Sequence, residues 1–209
     1  SPTERCTVFI RAGTYFLDAP LVLEPADSGS AEAPVTYAAY GDGTPIISGG
    51  RLITGWRLDG DGLWMVDLPE VQAGRWVFNQ LFVNGQRRQR ARHPNQGYLR
   101  TVGPLPTVEN PDTSWDNPDA RLGFSFRAGD LQAWEGLEDI NVVLYHDWDT
   151  SLHWIANLDE QAGTVRFTNP SQWPICYWER DQRYHLENFR QALDAPGEWY
   201  LDRRTGRLT

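Results

Sequence analysis

Two cysteines, one methionine and four histidines are scarce in this 209-residue chain, and each scarcity narrows what the protein is. Cys6 and Cys176 are too few for a disulfide framework, and neither sits in a C-x-x-C pair suited to metal or redox chemistry. Two buried thiols and a single disulfide both remain compatible with the sequence. His146 and His153 lie seven residues apart with no thiolate pattern nearby, so no metal site is expected. "GDGTP" and "GDGLW" lack the lysine of a phosphate-binding loop, and no cofactor is expected either. No apolar run approaches the ~20 residues that span a bilayer, and Ser1-Pro2-Thr3-Glu4-Arg5 has no basic-then-apolar leader layout. Positive charge is also short: 19 Lys+Arg against 28 Asp+Glu give a net charge of -9. That field repels phosphate backbones, which argues against nucleic acid as a partner.

What the chain does have is strand punctuation. "TVFI", "TYFL", "LVLEP", "VTYAAYG", "PIISGG" and "LITGWR" are short runs rich in β-branched and aromatic residues, separated by turn formers. Little helical periodicity lies between them, so an all-β fold is expected. Several runs are almost continuously apolar, as strands of a packed parallel coil are. Residues 1–55 therefore read as the first rungs of a parallel β-helix.

From Trp56 the texture changes, and residues 56–209 read as an inserted, mostly antiparallel β-domain, either barrel or sandwich. Asn84-Gly85 between "WVFNQLFV" and "QRRQRAR" signals a type I′ hairpin. Its register places Leu81 opposite Arg88 and Phe82 opposite Arg87, with Asn79 opposite Arg90 and Phe78 opposite Ala91. Residues 103–121, rich in Pro, Asn and Asp, read as a long functional or covering loop. Strands resume at "GFSFRAG", "INVVLYHDW", "LHWIANL" and "TVRFTNP". "LENFRQALD" is expected to form a short helix, with Glu187 or Asn188 as its cap. "EWYLD" and "RRTGR" predict a strand and a turn, with Leu208-Thr209 opening a return strand whose continuation lies beyond the chain.

Three stretches carry chemistry. In "HDWDT", Asp147 and Asp149 point the same way if the strand persists through Trp148, with His146 as a titratable neighbour; the alternative is a solvated acidic turn. Ten tryptophans offer platforms for sugar rings as well as core filler, and Trp148 and Trp115 are the two expected to be partly exposed. Arg87, Arg88, Arg90 and Arg92 form a cationic stripe. It reads either as a solvated face paired with acids of loops such as "ENPDTSWDNPD", or as a pocket wall where Arg90 and Arg92 hold hydroxyls or a carboxylate. In "RYHLEN", Tyr184, His185 and Glu187 are candidate sugar contacts.

The runs from "VFIRAGTYF" to "PIISGG", the "VNGQRRQRARHP" hairpin and the "LDAPGEWYLDRRTG" ending resemble the N-terminal part of secreted right-handed parallel β-helix proteins of glycoside hydrolase family 141. The resemblance implies opening β-helix rungs interrupted by an inserted β-domain, an extracellular or periplasmic location, and a polysaccharide as partner. It implies two-carboxylate hydrolysis with the catalytic pair on later rungs beyond Thr209. It also favours a binding role for Arg92 and the adjoining His93 within the RAR-x-P segment. A carbohydrate-binding module and a polysaccharide lyase on the same fold stay open as alternatives, because fold analogy does not separate them.

Overall fold

The computed structural model describes residues 4–108 and 115–209, and they fall into two compact units, Ser1–Gly55 and Trp56–Thr209. The first unit holds β1 (Cys6–Ile10), β2 (Gly13–Phe16), β3 (Val35–Ala39) and β4 (Pro45–Ser48). β3 lies parallel to β1 with Cys6 opposite Val35, and β4 lies parallel to β2 with Gly13 opposite Pro45. The chain thus makes two passes, each strand of the second pass stacking on its counterpart in the first. "LVLEP" gives no strand; it runs into a 3-10 turn at Pro25–Asp27, where the Asp27 carboxylate accepts the Glu24 amide at 2.8 Å. The apolar stretch of "LITGWR" is likewise irregular, and pairing begins only at Arg57. Val8, Phe9, Phe16, Ile46 and Ile47 are all at least 40% exposed. This unit buries almost none of its own apolar surface.

The second unit opens with β5 (Arg57–Leu58), β6 (Trp64–Asp67) and a one-turn helix at Pro69–Gln72. It continues with β7 (Leu81–Val83), β8 (Gln86–Arg90), β9 (Arg92–His93), β10 (Leu99–Arg100), β11 (Gly103–Pro104) and β12 (Gly123–Ser125). β13 (Asn141–Tyr145), β14 (Thr150–Asp159), β15 (Thr164–Phe167) and β16 (Arg183–Glu187) form its centre. β17 (Glu198–Trp199), β18 (Leu201–Asp202) and β19 (Arg207–Leu208) complete the chain. An eight-stranded antiparallel sheet runs β10-β16-β13-β14-β15-β12-β11, with β9 also on β16. Alternation along β13 and β16 sends Val142, Leu144, Tyr184 and Leu186 into a core with Phe124, Val165 and Phe167. Asn141, Val143, Tyr145, Arg183, His185 and Glu187 take the opposite face.

The Asn84-Gly85 turn forms, with both residues at positive φ (53° and 75°), and Leu81 pairs Arg88 and Phe82 pairs Arg87 as the register requires. Beyond Leu81 the arms part. Trp76–Asn79 is not strand, and the far end of β8 pairs in parallel with β17, Arg90 opposite Trp199. Phe78 stacks on Trp199 at 5.6 Å instead of facing Ala91. "EWYLD" breaks into two strands because Trp199 pairs with β8 while Leu201 pairs with Leu208 of β19, the return strand, which also pairs with β6. Within 103–121, β11 and a 3-10 turn at Pro118–Arg121 lie either side of residues 109–114, which fall outside the described residues.

"LENFRQALD" is not a helix. Leu186 and Glu187 end β16, and only a 3-10 turn at Arg190–Ala192 follows. Tertiary pairing overrides the helical spacing here, since β13 offers Leu186 and Glu187 ladder partners that a helix would forgo. Asn188 is not a helix cap. It is buried at φ 66°, its amide donates to the carbonyls of Asp139 and Leu201 at 3.1 Å each, and it accepts the Leu201 N–H at 3.0 Å. Asn188→Ala strands these three backbone groups and keeps an unfavourable φ, so it is expected to lower the unfolding free energy by about 3 kcal/mol or more. Asn188→Gly relieves the backbone alone and should recover only part of the loss; urea melts that show the Ala variant as stable as wild type would contradict this.

Candidate functional site

On the outer face of the sheet, β16 meets an edge built in two pieces. β9 pairs Arg92 with Glu187 and His93 with Leu186, whereas β10 pairs Leu99 with Tyr184 and Arg100 with Arg183. Five residues, 94–98, therefore bulge outwards opposite the single residue His185. The bulge brings the Gly97 carbonyl within 2.6 Å of Arg92 Nη2 and sets the Tyr98 ring beside its neighbours. Arg92 lies 5.5 Å and Arg183 5.3 Å from the Tyr98 centroid, Tyr145 packs edge-on to Tyr98 at 5.0 Å, and His185 is 6.4 Å away.

Glu187 is the charged centre of this face. One carboxylate oxygen is 2.9 Å from His185 Nε2 and the other 3.5 Å from Arg90 Nη1. Burial alone pushes its pKa up, but the His185 hydrogen bond and the Arg90 and Arg92 charges outweigh it, and the net shift is downwards. Because an ionised carboxylate only accepts, His185 donates to it through Nε2, which leaves Nδ1 as the ring's other polar atom. That Nδ1 and Arg92 Nε are both buried without a partner among the described residues. Burial and the nearby Tyr98 also raise the Tyr145 pKa.

Several expected contacts turn out to be structural. Arg90, 8% exposed, donates to Asn141 Oδ1 at 2.7 Å and lies 5.4 Å from the Trp199 ring; it is a buried cation, and its acidic partner among the described residues is Glu187. Asp119 of that loop pairs instead with Arg166 of β15. Tyr184 is fully buried and its hydroxyl donates to Asp130 at 3.0 Å; alternation on β16 puts it on the core side, away from His185 and Glu187. Asp147 and Asp149 do not share a strand face, because β13 ends at Tyr145 and the His146 amide bonds the Asp149 carbonyl at 2.9 Å in a hairpin turn. His93 is exposed at the edge. Cys6 is an exposed free thiol, not a buried one; Cys176 is buried, and burial pushes its pKa up to about 11.

His146 is buried and belongs to a relay that fixes the same turn. His153 Nδ1 meets the Asn169 carbonyl at 3.0 Å and must donate to it, so His153 Nε2 accepts from Ser151 Oγ at 2.7 Å. Ser151 Oγ in turn accepts from His146 Nε2 at 2.8 Å. Trp148, at the tip of this turn, is 59% exposed and Trp115 40%, as expected. The sequence reading passed over Tyr98, Tyr145 and Arg183. The period-2 relation of Arg183 to His185 and Glu187 could have revealed the last.

Against this geometry the comparisons are specific. A solved structure described as a glycoside hydrolase superposes with a TM-score of 0.75 at 24% identity, over 97% of this chain and 35% of that one. The chain thus spans about a third of that protein's length, and the likeness carries the all-β fold. A family model described as the GH141 insertion domain matches residues 61–209, and the chain belongs to that family. No curated protein matches it.

Burial holds the His153 pKa down at about 4, so the folded protein keeps this ring neutral. As pH falls below the ordinary value near 6.5 the unfolded chain protonates first, and stability drains until pH reaches about 4, by roughly 3 kcal/mol in all. His153→Gln should flatten this part of a pH series of thermal melts relative to wild type; an unchanged slope would contradict the assignment.

Proposed function

We propose that the chain is part of a secreted glycoside hydrolase that degrades polysaccharide, in which residues 1–55 begin a right-handed parallel β-helix and the inserted domain supplies one wall of the substrate cleft. Membership of the GH141 insertion-domain family carries this reading. The outer-face site is consistent with it. Sugar hydroxyls both donate and accept, and this face holds an unmatched N–H of Arg92 and an unmatched ring nitrogen of His185. Tyr98, 43% exposed, adds an apolar ring surface. Hydrolysis would use two carboxylates, one as acid and the other as base or nucleophile. The carboxylates of this region are already engaged, Glu187 by Arg90 and His185 and Asp139 by Arg203, which suits positioning better than proton transfer. The reading therefore places the catalytic pair outside residues 1–209.

Two measurements test it. Arg92→Lys keeps the charge but loses the planar fork, and in the whole protein it should weaken oligosaccharide binding by about 1–3 kcal/mol. Arg88→Lys, half-buried on the hairpin away from this face, should change binding by less than about 0.5 kcal/mol. Equal effects in calorimetry would reduce the arginine stripe to a diffuse charged surface. Second, residues 1–209 alone should show no turnover on polysaccharides that the whole protein cleaves; comparable turnover would move the catalytic pair into this chain.

A further inference from the structure

A second surface stands out at the end of the sheet where β13 finishes and β16 begins. Trp148 in the β13–β14 turn, Trp173, Tyr177 and Trp178 in the β15–β16 connection, and Trp115 before the 3-10 turn at Pro118–Arg121 form one cluster. Trp148 lies 4.6 Å from Trp178 and 5.3 Å from Trp173, while Trp115 is 5.6 Å from Tyr177 and 5.8 Å from Trp173. Interplanar angles in these four pairs run from 66° to 84°. Edge-on packing of this kind buries ring edges against faces and leaves other faces uncovered. Trp115, Trp148 and Trp178 are 40%, 59% and 42% exposed.

Exposed indoles cost solvation, yet the backbone beneath them is tied down. In the β15–β16 connection, Ser171 N–H bonds the Arg121 carbonyl at 2.8 Å and Ile175 N–H the Ala120 carbonyl at 2.7 Å. The buried Gln182 accepts from Cys176 N–H at 3.1 Å, and Thr101 Oγ1 donates to the Arg180 carbonyl at 2.6 Å. The turn bearing Trp148 is held by the buried His146–Ser151–His153 chain. Rigid supports under exposed rings are what a binding surface requires, because rings already held in place lose little freedom on contact.

We infer that this cluster is a second saccharide-binding site, separate from the Arg92 face, which takes the C–H faces of pyranose rings of the polymer. The inference rests on the polysaccharide reading above. Size decides against a protein partner: the three open rings expose roughly 350 Å² if each indole offers about 250 Å², under half of the ~800 Å² per side of a stable protein interface. The chain next to these rings is polar, with Asp147, Gln172, Glu179 and Arg180 exposed beside Trp148, Trp173 and Trp178 in sequence. Open ring faces with polar neighbours fit a sugar ring that is apolar above and below and hydroxylated at its edge.

The experiment uses residues 1–209 and a panel of soluble polysaccharides, β-glucan, xylan, pectin and alginate, read by affinity electrophoresis and tryptophan emission. Wild type should be retarded by at least one polymer with a shift in emission. Trp148→Ala and Trp178→Ala should each weaken that retardation at least tenfold, Trp148→Phe much less, with circular dichroism unchanged. Retardation that survives both alanine changes but falls with Arg92→Lys overturns the second site and leaves the polysaccharide reading standing. Retardation by no polymer overturns both. Self-association in sedimentation that Trp148→Ala abolishes also overturns it, by showing that the rings cover a second copy.

Discussion

The guanidinium of Arg90 joins parts of the inserted domain that sequence separates widely. It bonds Asn141 on β13, reaches Glu187 on β16 and packs on Trp199 of β17. Burial pulls its pKa down and Glu187 opposes that shift, so cation and carboxylate depend on each other for solvation. Removing one member of such a pair leaves a lone buried charge, at a cost of about 3–5 kcal/mol. Arg90 thereby fixes how the Asn84-Gly85 hairpin sits on the main sheet. Because Glu187 is held ionised from beneath, Arg92 and His185 on its outer side face a settled charge.

Strict alternation along β16 then divides labour between two faces. Tyr184 and Leu186 fill the core, while Arg183, His185 and Glu187 line the surface opposite the 94–98 bulge. A bulge on an edge strand re-aims side chains and blunts pairing with other chains. Here it places Tyr98 among two guanidinium groups and a histidine, contacts that an unbroken edge strand would not make.

The two units stand in different physical regimes. The inserted domain has a dry centre in which Phe124, Val142, Leu144, Val165 and Leu186 are fully buried. The first unit has parallel ladders but leaves apolar residues such as Phe9 and Ile47 half exposed. Its order rests on backbone pairing more than on side-chain burial.

The sequence by itself determined the local choices. Asn84-Gly85 specified the hairpin and its register because few residue pairs accept two positive φ angles. Alternating apolar runs specified the strands at 141–145 and 164–167, and the Arg-Ala-Arg segment and "RYHLE" already held Arg92, His185 and Glu187. Only the tertiary structure decided which chemistry each residue takes up. "LENFRQALD" has the spacing of a helix, yet the ladder with β13 claimed Leu186 and Glu187. Arg90 and Arg92 are two positions apart and look alike in sequence, but the first is buried against Trp199 and the second is only half-buried beside Tyr98. Asp147 and Asp149 lost their common face when the His146–Asp149 hydrogen bond closed a turn. The aromatic cluster drew its rings from three distant segments, and no local pattern records a contact whose partners meet only when β13, β14 and β16 align.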